Sequence, residues 1–342
     1  MTSRRPTQKQ IAERLGLSPA TVSLALRDSP MIAAKTRKLV REKMEEAGYV
    51  HNAAAASLRT GRSGIVGISL HSVDQPFFAE LLTGLERRLR AAGTAVLLNT
   101  HEEDPAALER FIDQLSAYGG DALVLSPPPA ATAEMLAPMR RRHMPVVYVA
   151  RHIDGDDEAD RIVNADGSAT QRAAARLIEL GHRRLVLVGG KRGTSMAAGR
   201  VAGFRAAIEA AGLDWSDDLW LAGASGLTGG AEATDRALDR PDPPTGFVCF
   251  SDAVAIGVMN ALRKRGLEPG RDAGVVGVGL GRPEEAASVH PALTTVLDNP
   301  AKLGEIAAET LLARLSEPDA PARHLSLAPK LVVRQSCGGP IS

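Results

Sequence analysis

The chain has 342 residues, 44% of them hydrophobic, 24% charged and only 3% aromatic, which excludes disordered and collagen-like proteins and predicts two or three domains. No apolar run reaches the roughly 18 residues that a membrane span needs, which excludes an integral membrane protein. The net charge of +1 divides into +7 for residues 1–62 and −6 for the remainder, so we expect one basic end to contact phosphate.

Two further features indicate the compartment. The segment 1–10 is charged and polar and lacks the apolar core of a secretion signal. Cys249 and Cys337 lie far apart, without the spacing of a disulfide framework or a zinc site. We therefore expect a cytoplasmic protein with no membrane partner, no metal and no cofactor.

The first fifty residues show the pattern of three helices. A T-x-x-Q capping box at Thr7 begins the first helix, which Gly16 ends. Ser18 caps a second helix with Pro19 at its first position, and a third helix is predicted from about residue 32 to 47. Two short helices joined by a tight turn are typical of a helix-turn-helix head. The basic excess and the hydroxyl-rich second helix favour this interpretation over a plain three-helix bundle.

In a helix-turn-helix head, the N-terminal residues of the second helix lie against base edges in the major groove. The predicted base-facing residues are Ser18, Pro19, Ala20, Thr21 and Ser23. The basic residues free to meet phosphates are Lys9, Arg27, Lys35 and Arg37. Because one small head has limited affinity for a half-site, we expect a homodimer on double-stranded DNA with a pseudo-palindromic operator.

An ordered set of motifs carries a resemblance to a known family. It includes LSPATVS, LRTGRSG, QPFFAELLTGLE, LIELGHRRLVLVGG, GRVAGFRAAI, SDAVAIGV, PALTTV and KLVVR. With these motifs nearly the whole chain is similar to lactose-repressor (LacI) type transcriptional regulators. The resemblance implies a sequence-specific DNA-binding regulator, and a repressor rather than an enzyme. Its operator affinity would be controlled by a small-molecule effector, either a sugar, a sugar derivative or another metabolite.

Residues 52–62 are predicted to form a hinge helix and linker. Its alanine-rich stretch has seven residues, fewer than the roughly 12 to 15 that an isolated helix needs in water. The resemblance implies that two such helices pair in the operator's minor groove through Asn52, Ala55 and Leu58. In that arrangement Leu58 would wedge between base steps. A flexible alanine-rich linker is the alternative.

After the hinge, short apolar runs alternate with amphipathic helices. Runs of four to six apolar residues predict parallel strands that are covered on both faces, and hence a doubly wound α/β fold. The resemblance implies two such lobes, like those of a type I periplasmic binding protein, joined by three crossing segments. The expected domains are a head at 1–51 and a body at 63–342, with lobe one at about 63–162 and 295–322 and lobe two at about 163–294 and 323–339.

Ligands of open α/β sheets bind beyond the carboxyl ends of the strands, which makes Ser126 and Arg151 candidate effector contacts. The resemblance implies four more contacts, namely Phe77, Phe78, Arg200 and Asp252. In these roles the phenylalanines would offer an apolar face, Arg200 a bidentate donor and Asp252 an acceptor. The structural alternatives are packing for the phenylalanines, a surface charge for Arg200 and a helix cap for Asp252.

Four positions depart from the family pattern: Ala150 and Gly279 where acidic residues are common, Ser225 where an aromatic ring is, and Ser251 where an asparagine is. A missing hydroxyl-binding contact costs roughly 1 to 3 kcal/mol. A hexose or pentose bound in the usual way is therefore not expected. A sugar derivative, an acidic metabolite drawn to Arg151 and Arg200, or a degenerate pocket remain open.

Three other classes of protein share single features with this sequence. A nucleotide-binding oxidoreductase is disfavoured because Arg282 stands where a dinucleotide fingerprint needs its third glycine. A solute-binding protein would need a secretion signal and would lack the basic head. An architectural DNA-binding protein without an effector predicts that no ligand changes operator binding.

Overall fold

The computed structural model of the protein describes residues 7–26, 28–47, 62–279 and 282–338. Its internal contacts separate a head, residues 1–63, from a body, residues 64–342. Among the helices described, none has the length and apolar character needed to cross a membrane.

The head contains three helices around a small apolar core. They are α1 (Gln8–Leu15), α2 (Pro19–Leu26) and α3 (Ala34–Glu46). The predicted capping box is confirmed, because the Gln10 amide donates to Thr7 Oγ1 at 3.3 Å and the Thr7 amide donates to Gln10 Oε1 at 2.8 Å. Side chains from all three helices meet in the core, which consists mainly of Ile11, Ala12, Val22, Ala25, Val40 and Met44.

The first part of the body alternates strands and helices as the sequence predicts. Its elements are β1 (Ile65–Leu70), α4 (Pro76–Ala91), β2 (Ala95–Thr100), α5 (Pro105–Ala117), β3 (Ala122–Leu125), α6 (Ala137–Arg141), β4 (Val146–Val149) and β5 (Asp160–Asn164). All four residues of β3 are buried, as expected for a strand covered on both faces.

The second part repeats this alternation. Its elements are α7 (Asp166–Glu179), β6 (Leu185–Val188), α8 (Ser195–Ala210), β7 (Trp220–Leu221), α9 (Gly226–Leu238), β8 (Gly246–Cys249), α10 (Asp252–Lys264), β9 (Gly274–Val278), α11 (Pro283–Ser288) and β10 (Thr294–Leu297). The last part contains α12 (Pro300–Ser316), β11 (His324–Leu327) and β12 (Lys330–Val332).

The strands form two six-stranded sheets, one in each lobe. The first has the order β11-β5-β4-β3-β1-β2 and is parallel throughout. The second has the order β12-β10-β9-β8-β6-β7, and only β12 runs antiparallel to its neighbour. The two-lobed, doubly wound architecture is thus confirmed.

The lobe bounds expected from the sequence need correction at the second and third crossings. The strand β10, placed in lobe one from residue 295, pairs with β9 through Thr294 and Val276 and so belongs to lobe two. The strand β11, placed in lobe two from residue 323, pairs with β5 through His324 and Arg161 and so belongs to lobe one. For β11 the cause is that the strand is largely exposed and has no buried apolar run that would reveal its sheet.

Candidate functional site

A cavity of about 470 Å³ lies between the two lobes of the body. Its walls come from the segments that follow β1, β2 and β4 in lobe one and β6, β7 and β8 in lobe two. Parallel strands of both sheets end here, which is where open α/β sheets bind ligands. The volume suits a small metabolite.

Two of the six predicted effector residues, Phe78 and Arg151, line this cavity. Phe77 is 1% exposed and contacts Phe78 edge-on, with ring centroids 5.2 Å apart. Ser126 is fully buried, and its carbonyl oxygen accepts a hydrogen bond from His101 Nε2 at 2.8 Å. Phe77 and Ser126 therefore support the cavity wall from behind, and the structure does not place them in contact with a ligand in the cavity.

Arg200, a predicted effector contact, is not among the residues that line this cavity. Its Nε donates to Asp166 Oδ1 at 2.8 Å, and its Nη1 donates to the carbonyl oxygens of Phe250 and Val278. The side chain is 1% exposed. The guanidinium thus joins α7 and α8 to the ends of β8 and β9.

Asp252 is also held inside lobe two. It is 2% exposed, and its Oδ1 accepts a hydrogen bond from Thr295 Oγ1. Burial raises the pKa of Asp252 from 3.8 to about 7, although the bond from Thr295 opposes this shift. The flanking residues Ser251 and Ala253 line the cavity, and Asp252 itself does not.

The backbone turns sharply where lobe one presents Arg151. Ala150 has a φ of +61°, and the Arg151 amide donates to the Val149 carbonyl at 2.6 Å, which closes a γ-turn. A positive φ is uncommon for alanine and costs roughly 1 to 3 kcal/mol, a strain that is found mainly at functional sites. This turn directs the guanidinium towards the loop after β2.

Arg151 forms a bidentate ion pair with Glu103, a residue that sequence reasoning missed. Nη1 lies 2.9 Å from Oε2 and Nη2 lies 3.0 Å from Oε1. Burial alone would raise the pKa of Glu103, but the hydrogen bonds and charge of Arg151 outweigh it and lower that pKa below its ordinary value. The available signal was an acidic residue shortly after the apolar run of β2.

The positions that depart from the family pattern have separate explanations. Ser225 and Ser251 line the cavity, and Ser251 Oγ also caps α10 by accepting from the Val254 amide at 3.2 Å. Gly279 has a φ of +62°, and a Cβ atom there would lie only 2.1 Å from Asp298 Oδ2. The Asp298 carboxylate therefore fills the space that an acidic side chain at position 279 would need.

The head presents part of the predicted DNA-binding surface. Ser18, Pro19 and Ala20 are exposed at the start of α2, and Ser18 Oγ caps this helix by accepting from the Thr21 amide at 3.0 Å. Ser23, also predicted to face the bases, is only 8% exposed and does not belong to this exposed surface. The reason is that Ser23 lies on the inward side of α2 with its buried neighbour Val22.

Among the predicted phosphate contacts, Lys35 is exposed, and Arg37 donates from Nη1 to the Asp28 carbonyl at 2.9 Å. Arg27 and the hinge residues Asn52, Ala55 and Leu58 lie outside the described residues, as does the side chain of Lys9.

Comparison with known proteins identifies the class. Residues 7–52 match the model for bacterial regulatory proteins of the lacI family, and residues 63–325 match periplasmic binding proteins and the sugar binding domain of the LacI family. The ribose operon repressor of Escherichia coli (strain K12) is 28% identical over 331 residues, covering 96% of this chain and 99% of that protein.

Two solved structures extend the comparison. The lac repressor dimer bound to operator and the anti-inducer ONPF has a TM-score of 0.86 at 23% identity, covering 98% of this chain and 100% of that one. The complex of the transcriptional regulator CelR with cellobiose has a TM-score of 0.73 at 25% identity, covering 97% and 100%.

A helix-turn-helix head followed by a two-lobed α/β body is the domain order of the family models that this chain matches, and it defines a DNA-binding regulator. The chain belongs to the LacI family of bacterial regulatory proteins. Its relatives are transcriptional regulators, and the enzymatic alternative has no support among them.

Proposed function

We propose that this regulator binds a two-fold operator as a homodimer and that a small molecule in the cavity between the lobes controls this binding. Control by a small molecule is inferred from the largely buried Glu103–Arg151 pair in the wall of a metabolite-sized cavity. Clefts with a few convergent polar groups in apolar surroundings are the usual form of small-molecule sites.

Relatives support the same arrangement. The lac repressor has been solved as a dimer on operator DNA, and CelR has been solved with cellobiose. By analogy, the effector here is a sugar, a sugar derivative or another small polar metabolite. The proposed regulator represses transcription while it is bound to the operator, and the ligand releases it from the DNA. Such a bacterial regulator acts in the cytoplasm.

For DNA recognition, we assign base readout to the start of α2, at the exposed Ser18, Pro19 and Ala20 and the partly exposed Thr21. Hinge contacts in the minor groove are proposed for Asn52, Ala55 and Leu58, and phosphate contacts for Lys9, Arg27 and Lys35. Two heads on a pseudo-palindrome would supply both the affinity and the specificity that one head lacks.

The test has two stages. Selection from a random duplex library with the purified full chain identifies the operator, and a thermal-shift screen of sugars and related metabolites identifies ligands of the body. Operator binding is then titrated by fluorescence anisotropy with and without each ligand. We expect a two-fold site and a ligand-dependent affinity. A selected site with no ligand dependence would favour the architectural alternative instead.

A further inference from the structure

The Glu103–Arg151 pair leaves the cavity wall with compensated charge. Both carboxylate oxygens and both Nη atoms take part, and the side chains are only 12% and 9% exposed. Bidentate pairs of this kind are among the stronger charge-assisted interactions in proteins. A ligand therefore meets a guanidinium group that is already neutralised.

The loop that carries Glu103 is held in an uncommon conformation. Glu102 has a φ of +46° and Glu103 a φ of +68°, and neither is glycine. His101 anchors this loop, because its Nε2 donates to the Ser126 carbonyl at 2.8 Å and its Nδ1 accepts from the Glu103 amide at 3.1 Å. Together with Ala150, three strained residues thus surround one ion pair, a concentration typical of functional sites.

The remaining hydrogen-bond donors and acceptors of this cavity wall suit a hydroxyl group of a ligand. Arg151 Nη2 donates one of its two N–H groups to Glu103 and keeps the other, whereas Arg151 Nε and His71 Nδ1 are buried atoms without a hydrogen-bond partner in the described part of the chain. A hydroxyl group can accept from Arg151 and donate to Glu103 without separating their charges. A carboxylate or phosphate would face the Glu103 carboxylate and would have to displace it from Arg151.

We propose that Glu103 determines the charge of the effector: by neutralising Arg151 it selects uncharged, hydroxyl-bearing ligands and excludes carboxylates and phosphates. This inference rests on the proposed function of the cavity. It also means that neither arginine expected to attract an acidic metabolite is available for one, since Asp166 binds Arg200. Lys191, on the opposite wall, is exposed, so solvent and salt screen its attraction for an anion.

A divalent metal ion is the rival occupant, because His71, His101 and Glu103 each bring one ligand atom within 4.8 Å of the others. However, both ring nitrogens of His101 already form hydrogen bonds, and both oxygens of Glu103 bind Arg151. A cation would have to break these bonds and lie beside a guanidinium charge. The observed geometry therefore favours an organic ligand.

The test uses thermal shift on the full-length chain and needs neither the operator nor the natural effector. Wild type, Glu103→Gln and the exposed neighbour Glu102→Gln are each melted with sodium sulfate, sodium malonate or sodium chloride at matched ionic strength. Sulfate raises the melting temperature of most proteins over chloride, so the readout is the shift of each variant relative to that of wild type. Freed from its partner, Arg151 in Glu103→Gln should bind the oxyanions and add about 2 °C or more to the wild-type shift. Glu102→Gln should show the same shift as wild type.

Equal oxyanion stabilisation of all three proteins, or none in a folded Glu103→Gln, would overturn the proposal. Should that variant not fold, wild type is melted with matched neutral and acidic ligands such as glucose and glucuronate. Only the uncharged member of a pair should stabilise it, and stabilisation by the acidic member would overturn the proposal. Stabilisation of wild type but not Glu103→Gln by zinc chloride would replace the proposal with a metal site. Because none of these assays contains DNA, their failure is separate from a failure of ligand-controlled operator binding.

Discussion

Arg200 Nε lies 2.8 Å from Asp166 Oδ1 inside lobe two, with both side chains at least nine-tenths buried. The same guanidinium donates to the carbonyl oxygens at the ends of β8 and β9. The donor geometry that suggested effector binding is therefore used to fix the strand ends that form one wall of the cavity.

We predict that Arg200→Met lowers the free energy of unfolding by about 3 to 5 kcal/mol, because Asp166 is left as an uncompensated buried charge. The matched control is Arg205→Met on the same helix, where an exposed pair with Glu209 contributes about 0 to 1 kcal/mol. Urea denaturation monitored by circular dichroism measures both values. Equal losses of unfolding free energy in the two variants would show that the contacts of Arg200 do not stabilise the fold.

Asp252 predicts a dependence of stability on pH. Its pKa is 3.8 in an ordinary environment and about 7 in the folded protein, where burial disfavours the charged form. The folded state therefore binds this proton more tightly, and the stability it contributes is present below about pH 4 and lost as pH rises towards 7. The loss amounts to roughly 4 kcal/mol at most.

Asp252→Asn removes this titration while keeping an oxygen that accepts from Thr295. The variant should lose less stability than wild type between pH 5 and pH 8, as measured by urea denaturation at each pH. The exposed Asp113→Asn serves as the control and should follow wild type. Parallel curves for Asp252→Asn and wild type would exclude a proton on Asp252 near neutral pH.

Gly279→Asp restores the acidic residue that is common in the family. We predict a loss of about 1 to 3 kcal/mol, because the new Cβ would lie 2.1 Å from Asp298 Oδ2 and the backbone has a positive φ. Adding Asp298→Ala should recover part of this loss in thermal unfolding. If the single variant is as stable as wild type, Asp298 does not occupy that space.

The helices and inner strands could be predicted because each carries a local signal, such as the capping box at Thr7 or the buried run of β3. The sheet to which β10 or β11 belongs could not be predicted, since it depends on pairing between segments far apart in sequence. Charge alone likewise could not show that Arg200 is buried or that Arg151 is paired. Those outcomes depend on the positions of Asp166 and Glu103 in space.

The hinge supplies a prediction that concerns DNA alone. Because the resemblance implies that Leu58 wedges between base steps, Leu58→Ala should weaken operator binding by several-fold or more. Thermal shift with a ligand of the body should be the same as in wild type. Identical operator titrations for the two proteins would remove the wedge role.

Ligand control of DNA binding is tested most directly by the operator dissociation constant, measured by fluorescence anisotropy in the presence and absence of a ligand that stabilises the body. We predict at least a tenfold change for wild type, equivalent to about 1.4 kcal/mol of coupling. The change should be much smaller in Arg151→Gln, whose operator affinity without ligand should match wild type. An operator dissociation constant that no stabilising ligand alters would contradict the account.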